Sequence, residues 1–223
     1  MTFRLPLSAH RTAIMGRTGS GKTAMALFLL ARSNFHEKPY YIVDYKGDNH
    51  IAEIDRAKPL DVNERPPTKP GLYVVRPLPH QQDEMEAWLW HVYNQENAGL
   101  YFDEAYMVPD DGAFPAILTQ GRSKHINSII ISQRPAWISR FVFSEANQFG
   151  SFHLNDADDR KKLWRFLPQD KIVRKRLPDY HSVWYDVDNN DLTLLAPCPH
   201  PDESVDMIQS RLQSIQGTRR VAI

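Results

Sequence analysis

The turn Gly16-Arg17-Thr18-Gly19-Ser20-Gly21-Lys22-Thr23 constrains the fold more than any other stretch of this chain. Its spacing, G-x-x-x-x-G-K-[ST], is that of a phosphate-binding P-loop. An apolar run, Ala13-Ile14-Met15, leads into it, and a helix-prone run from Ala24 to Arg32 leads away. In a strand–loop–helix setting the glycines let backbone N–H groups turn inward around a polyphosphate. The helix N-terminus adds about half a positive charge. Lys22 is then placed to reach the β- and γ-phosphates, and the Thr23 hydroxyl to hold Mg²⁺.

Strands alternate with helices along the rest of the chain. Tyr40 to Asp44, Gly71 to Arg76, Leu100 to Glu104, Asn127 to Gln133 and Phe149 to Leu154 read as strands, the central ones with the near-continuous apolar character of strands buried on both faces. Helices are predicted over Gln81 to Asn97, where Met85, Trp88, Leu89 and Val92 recur at helical spacing, over Gly112 to Gly121, and over Ala157 to Phe166. Asn49 to about Pro70, rich in proline and charge, reads as a linker. His181 to Tyr185 and Leu192 to Leu195 flank Asp188-Asn189-Asn190-Asp191, a hairpin signal, and Asp202 to Ile215 is an amphipathic helix. The expected fold is α/β, a mainly parallel sheet flanked by helices, with a small C-terminal hairpin and helix. Residues 1–223 are read as a single domain, with its core at about 9–167 and the hairpin and helix at about 168–216.

Candidate chemistry gathers at the strand ends. Asp103 and Glu104 close a short buried strand about 80 residues after the P-loop, the form of a Walker B strand. Asp103 is expected to bind Mg²⁺ through its water shell and Glu104 to polarise the attacking water. Gln133 ends the next buried strand, where its amide can sense a γ-phosphate or orient water. Parallel strands present their carboxyl ends on one edge, so these residues fall beside the glycine loop.

Bulk properties exclude several classes. The 27 basic and 27 acidic residues balance, which does not suggest a free-standing nucleic-acid binder, although local charge can still line a pore. The single cysteine, Cys198, forbids an intrachain disulfide and fits a reducing cytoplasm. No apolar run approaches a membrane span. Met1 to Ser8 is too short and polar for a signal peptide, and the last few residues read as frayed. The histidines are scattered, and no zinc-type ligand spacing appears.

The order of motifs resembles the FtsK/HerA superfamily of P-loop ATPases. Ile42-Val43-Asp44-Tyr45-Lys46-Gly47-Asp48 is similar to its "D-P-K-G-x" strand, with Tyr45 where many members have proline. Phe102-Asp103-Glu104-Ala105, Gly121-Arg122 and Ile131-Ser132-Gln133-Arg134-Pro135 follow, the last resembling the "T-Q-R-P" motif. The likeness spans Ile14 to Leu167, roughly two-thirds of the chain. It implies a RecA/FtsK-like sheet and an ATP- and Mg²⁺-dependent motor. A bare motor core most resembles the genome-packaging ATPases of membrane-containing icosahedral viruses. The implied partners are double-stranded DNA, further copies in a hexameric or pentameric ring, and a capsid vertex or membrane protein. The implied location is the host cytoplasm or the virion. Gly16, Arg17, Thr18, Gly19, Ser20, Gly21, Lys22 and Thr23 would bind the nucleotide, Thr23 and Asp103 the metal. Glu104, Lys22 and Gln133 would act in catalysis. Arg122 sits where members often place an arginine that reaches a neighbour's nucleotide, with Arg134 as second candidate; Asp44 and Lys46 lie nearby by analogy.

Eight basic residues fall between Arg160 and Arg176: Arg160, Lys161, Lys162, Arg165, Lys171, Arg174, Lys175 and Arg176. They read equally as a DNA-phosphate surface or as a solvated face or intersubunit salt-bridge surface. Two rivals to a DNA motor stand beside it. One is a nucleotide-dependent switch or assembly ATPase acting on a protein. The other is a small-molecule kinase, which would want an arginine-rich lid rather than the Glu104 and Gln133 motifs.

Overall fold

The computed structural model describes residues 5–6 and 10–218 of the chain. Most of the polar N-terminal segment and the last residues read above lie outside the described residues. Among the described residues, nine strands form one sheet, in the order β3-β4-β2-β5-β6-β1-β7-β8-β9. These are β1 (Arg11–Met15), β2 (Pro39–Asp44), β3 (Lys58–Leu60), β4 (Gly71–Val75), β5 (Gly99–Asp103), β6 (Asn127–Ser132), β7 (Gln148–Ser151), β8 (Ser182–Asp186) and β9 (Asp191–Leu195). Pairing is parallel from β3 through β7 and antiparallel across β7–β8 and β8–β9. The C-terminal hairpin therefore extends the main sheet instead of forming an annex.

Successive residues of the central strands feed two cores, as the strand period of two requires. Ala13, Met15, Tyr41, Val43, Leu100, Phe102 and Ile130 enter one, and Ile14, Tyr40, Ile42, Tyr101, Ile129 and Ile131 the other. The first core is closed by α3 (Gln82–Gln95) through Met85, Trp88, Leu89 and Val92, and by α4 (Ala113–Gln120), α5 (Arg140–Ser144) and α6 (Ala157–Trp164). The second is closed by α1 (Lys22–Leu30) and the long α8 (Pro201–Thr218), whose Val205, Ile208 and Leu212 are buried against it. Two short helices, α2 (Asn49–Ala52) and α7 (Lys171–Arg174), complete the α-helices among the described residues. The expected linker holds both α2 and β3. Asp48 caps α2 by accepting from the His50 and Ile51 amides, and β3 is a largely exposed edge strand carrying a proline.

Candidate active site

The P-loop joins β1 to α1 at the carboxyl edge of the sheet. Gly19 (φ 72°) and Gly21 (φ 103°) adopt left-handed backbone that disfavours any other residue. At Gly16 the reason is space: a Cβ there would stand 2.5 Å from that of Phe152. The loop is anchored where Gly16 N–H donates to the Ser132 carbonyl and Arg17 N–H to that of His153. No acidic residue occupies the first turn of α1, so its positive end stays available to an anion.

Lys22 is buried and donates across the loop to the Arg17 carbonyl at 2.9 Å. Burial pushes its ammonium pKa down to about 8, against the pull of Glu104 and Asp103. Thr23 follows in the first turn of α1. Asp103 and Glu104 are both buried, at 4% and 3% exposure. Asp103 Oδ2 has no hydrogen-bond partner among the described residues. Burial, then the charges of Glu104, Asp48 and Asp44, raise the Asp103 carboxyl to about 7. A buried, orphaned carboxylate among like charges is the environment that a divalent cation relieves, so the acidic donors fit Mg²⁺.

Glu104 takes a left-handed backbone (φ 56°, ψ 61°), a conformation that costs a non-glycine residue on the order of 1 kcal/mol and turns its side chain off the strand direction. Its carboxylate lies 3.4 Å from Lys46 Nζ and accepts from the Gln133 N–H at 3.4 Å. The Gln133 amide oxygen in turn accepts from the Thr18 hydroxyl. Lys22, Asp103, Glu104 and Gln133 thus converge on the P-loop. Asp44 shapes the neighbouring loop: it accepts from the Gly47 and Asp48 amides and pairs with Arg76 at 2.9 Å.

Arg122 stands apart. It is exposed, in the turn entering β6, and its charge acts on His10 and Arg11 at the amino edge of the sheet. Its side chain makes no ion pair among the described residues. Arg134 is engaged within its own chain, 3.3 Å from Asp159 and stacked over Trp137 at 4.2 Å.

Sequence reasoning missed the segment 177–180. It lines a shallow cleft beside the P-loop with Arg17, Ser20 and Phe152; Asp179 lies 3.9 Å from Arg17, and Tyr180 is close enough to touch a Cβ placed on Gly21. Nothing in the spacing of Asp179 and Tyr180 marks them.

Comparison with known proteins then decides the family. No protein-family model matches the chain. It is 41% identical over 212 residues to the DNA packaging ATPase P9 of Enterobacteria phage PRD1, covering 91% of this chain and 93% of that one. The chain belongs to the family of DNA packaging ATPases. This packaging ATPase also shares its fold with the genome packaging NTPase B204 of Sulfolobus turreted icosahedral virus 2, solved with AMPPCP, at a TM-score of 0.68 and 17% identity over 86% of this chain and all (100%) of that one. ATPases 2 and 3 of EssC from Geobacillus thermodenitrificans match at a TM-score of 0.64 and 13% identity, over 96% of this chain and 45% of that one. The packaging ATPase is an α/β P-loop enzyme that binds and hydrolyses ATP. No helix among the described residues is long and apolar enough to cross a membrane.

The acidic cluster carries a stability prediction. The Asp103 carboxyl has a folded pKa near 7, above the unfolded value of about 3.9. The native state therefore holds that proton more tightly than the unfolded state. The resulting penalty is absent below the unfolded value, grows as pH rises, and is complete above the folded one. Asp103→Asn is expected to abolish turnover yet stabilise the metal- and nucleotide-free protein at pH 8. A gain on the order of 2 kcal/mol corresponds to about 4–8 °C in Tm. Melting scans in chelator at pH 8 and pH 5.5 check this; the gain should be smaller at the lower pH.

Proposed function

We propose that this packaging ATPase works as a homo-oligomeric ring that couples hydrolysis of Mg²⁺-ATP to translocation of double-stranded DNA. The convergence of Lys22, Asp103, Glu104 and Gln133 on one glycine loop carries the reading. The P-loop amides, Lys22 and the N-terminus of α1 hold the triphosphate. Thr23 and Asp103 hold Mg²⁺, which when bound neutralises charge building on the phosphate oxygens. Glu104 orients and deprotonates the attacking water, held in place by Lys46 and the Gln133 amide. Gln133, tied to Thr18 on the P-loop, reports whether the loop is filled. Tyr180 and Arg17 border the base. Arg122 of one subunit completes the site of the next. The nine-stranded sheet with its C-terminal helix is read as one working unit, acting in the host cell or virion at a capsid vertex or membrane partner.

The basic stretch is divided by the fold. Arg160 is bound to the Leu154 and Asn155 carbonyls and Lys162 to those of Ala136 and Ile138, so both brace local backbone. Arg140, Lys161 and Arg165 instead line an open groove, with Asp158 as its one acid. Trp137, 62% exposed, belongs to the short helical turn that follows Gln133. Cations beside an exposed aromatic suit a nucleic-acid backbone, and the segment 133–140 links them to the nucleotide.

The test is ATP turnover with and without duplex DNA, alongside molar mass in solution. Duplex DNA should stimulate the wild-type ring several-fold, and the triple variant Arg140→Ala, Lys161→Ala, Arg165→Ala should lose the stimulation while keeping its basal rate. Indifference of the wild type to DNA, with slow turnover and a protein client, would identify the switch or assembly ATPase instead.

A further inference from the structure

No zinc-type spacing is visible along the chain, yet folding brings two histidines and two carboxylates together beside the loop that follows β2. His50 and Glu53 lie one turn apart at α2, and both face Asp202 in the first turn of α8. His50 Nδ1 is 3.5 Å from Asp202 Oδ1 and 3.9 Å from Glu53 Oε2. One ligand atom from each of the three lies within 4.8 Å of the other two. His200 supplies a second imidazole: its Nδ1 is 3.2 Å from the other Asp202 oxygen, and its ring meets that of His50 edge-on at 6.4 Å.

Two properties of this group point to a cation. First, His50 Nδ1 is shielded from solvent and makes no hydrogen bond among the described residues. A neutral imidazole lone pair directed at two carboxylates is repulsive, so either a proton or a metal ion must lie between them. Second, the spacing suits a metal. Tetrahedral zinc with bonds of about 2.0–2.1 Å sets its ligand atoms about 3.3 Å apart, and the separations of 3.5 and 3.9 Å from His50 Nδ1 need only small side-chain adjustments to meet that. Mixed imidazole and carboxylate donors select zinc or its transition-metal neighbours, whereas Mg²⁺ and Ca²⁺ prefer all-oxygen shells.

The geometry points to a zinc-type site formed by His50, Glu53 and Asp202 that pins α8 to α2. Its placement gives it a structural role. α2 begins at its cap Asp48, whose charge is felt by Asp103, and α8 packs against α1, the helix that the P-loop opens. An ion here ties the C-terminal helix to the loop bordering the nucleotide.

The experiment uses untagged full-length protein, free of nucleotide and Mg²⁺, titrated with zinc chloride by calorimetry and with Co²⁺ by visible absorption. One zinc per chain is expected at this site, with a rise in Tm. His50→Ala and Asp202→Ala, made separately, should each weaken that binding at least tenfold and remove the thermal gain. His50→Ala should keep wild-type ATP turnover in zinc-free Mg²⁺ buffer, which shows that it is folded. An ion held instead at Asp103 would bind both variants as tightly as wild type, and that result overturns the assignment. So does a wild type that takes up no zinc.

Discussion

Glu104→Gln should bind ATP as tightly as wild type and fail to hydrolyse it. The two side chains have the same shape, so the left-handed turn at residue 104 and the contact with the Gln133 amide can persist. What is lost is the basic oxygen. General-base catalysis is worth about 10²–10⁴-fold, and a kcat reduced by that factor with KM nearly unchanged is the expected result. Removing the carboxylate also relieves Asp103 of its largest charged neighbour, so metal-free stability should rise rather than fall. Lys22→Ala should differ in kind, because it removes a donor to the phosphates and so weakens nucleotide binding as well. Single-turnover hydrolysis together with equilibrium binding of a fluorescent ATP analogue separates the two effects. Normal hydrolysis by the Glu104→Gln protein would mean that another group activates the water.

The P-loop and the central strands were legible because local sequence determines them. Gly19 and Gly21 stand where only glycine is comfortable, and β1, β2, β5 and β6 are buried throughout, so their apolar runs stand out. Asp103, Glu104 and Gln133 could be placed from topology alone, since adjacent parallel strands deliver their last residues to one edge. β3 was hidden because an exposed edge strand of sequence Lys-Pro-Leu has no apolar face to show. The partner strand of the hairpin was hidden because pairing of β8 with β7 is a tertiary choice. The basic stretch looked like one patch, but which of its cations remain available depends on carbonyls at residues 136, 138, 154 and 155, far away or unremarkable in sequence. Tyr180 and the His50–Asp202 cluster fall in the same class. They are contacts between segments that no spacing rule connects.

Arg122→Ala should be as severe as the loss of the base, and for a reason that lies outside the subunit. Arg122 is at the amino edge of the sheet, while the P-loop, Asp103 and Glu104 are at the carboxyl edge. Within one chain its guanidinium has no route to the γ-phosphate. A catalytic role therefore requires a second copy, and an arginine supplied in this way is worth about 10³–10⁵ in rate. Arg134 is a weaker candidate because Asp159 and Trp137 already hold it in its own chain, so Arg134→Ala should act chiefly through the Gln133 segment and cost less. Mixing the variants tests the idea directly. Arg122→Ala subunits keep an intact Lys22 site, and Lys22→Ala subunits keep an intact arginine. Each is expected to be inactive alone, yet mixed oligomers should regain turnover wherever a Lys22→Ala neighbour offers Arg122 to an Arg122→Ala site. If Arg122 acts inside its own subunit or only supports the fold, no mixture of the two will recover activity.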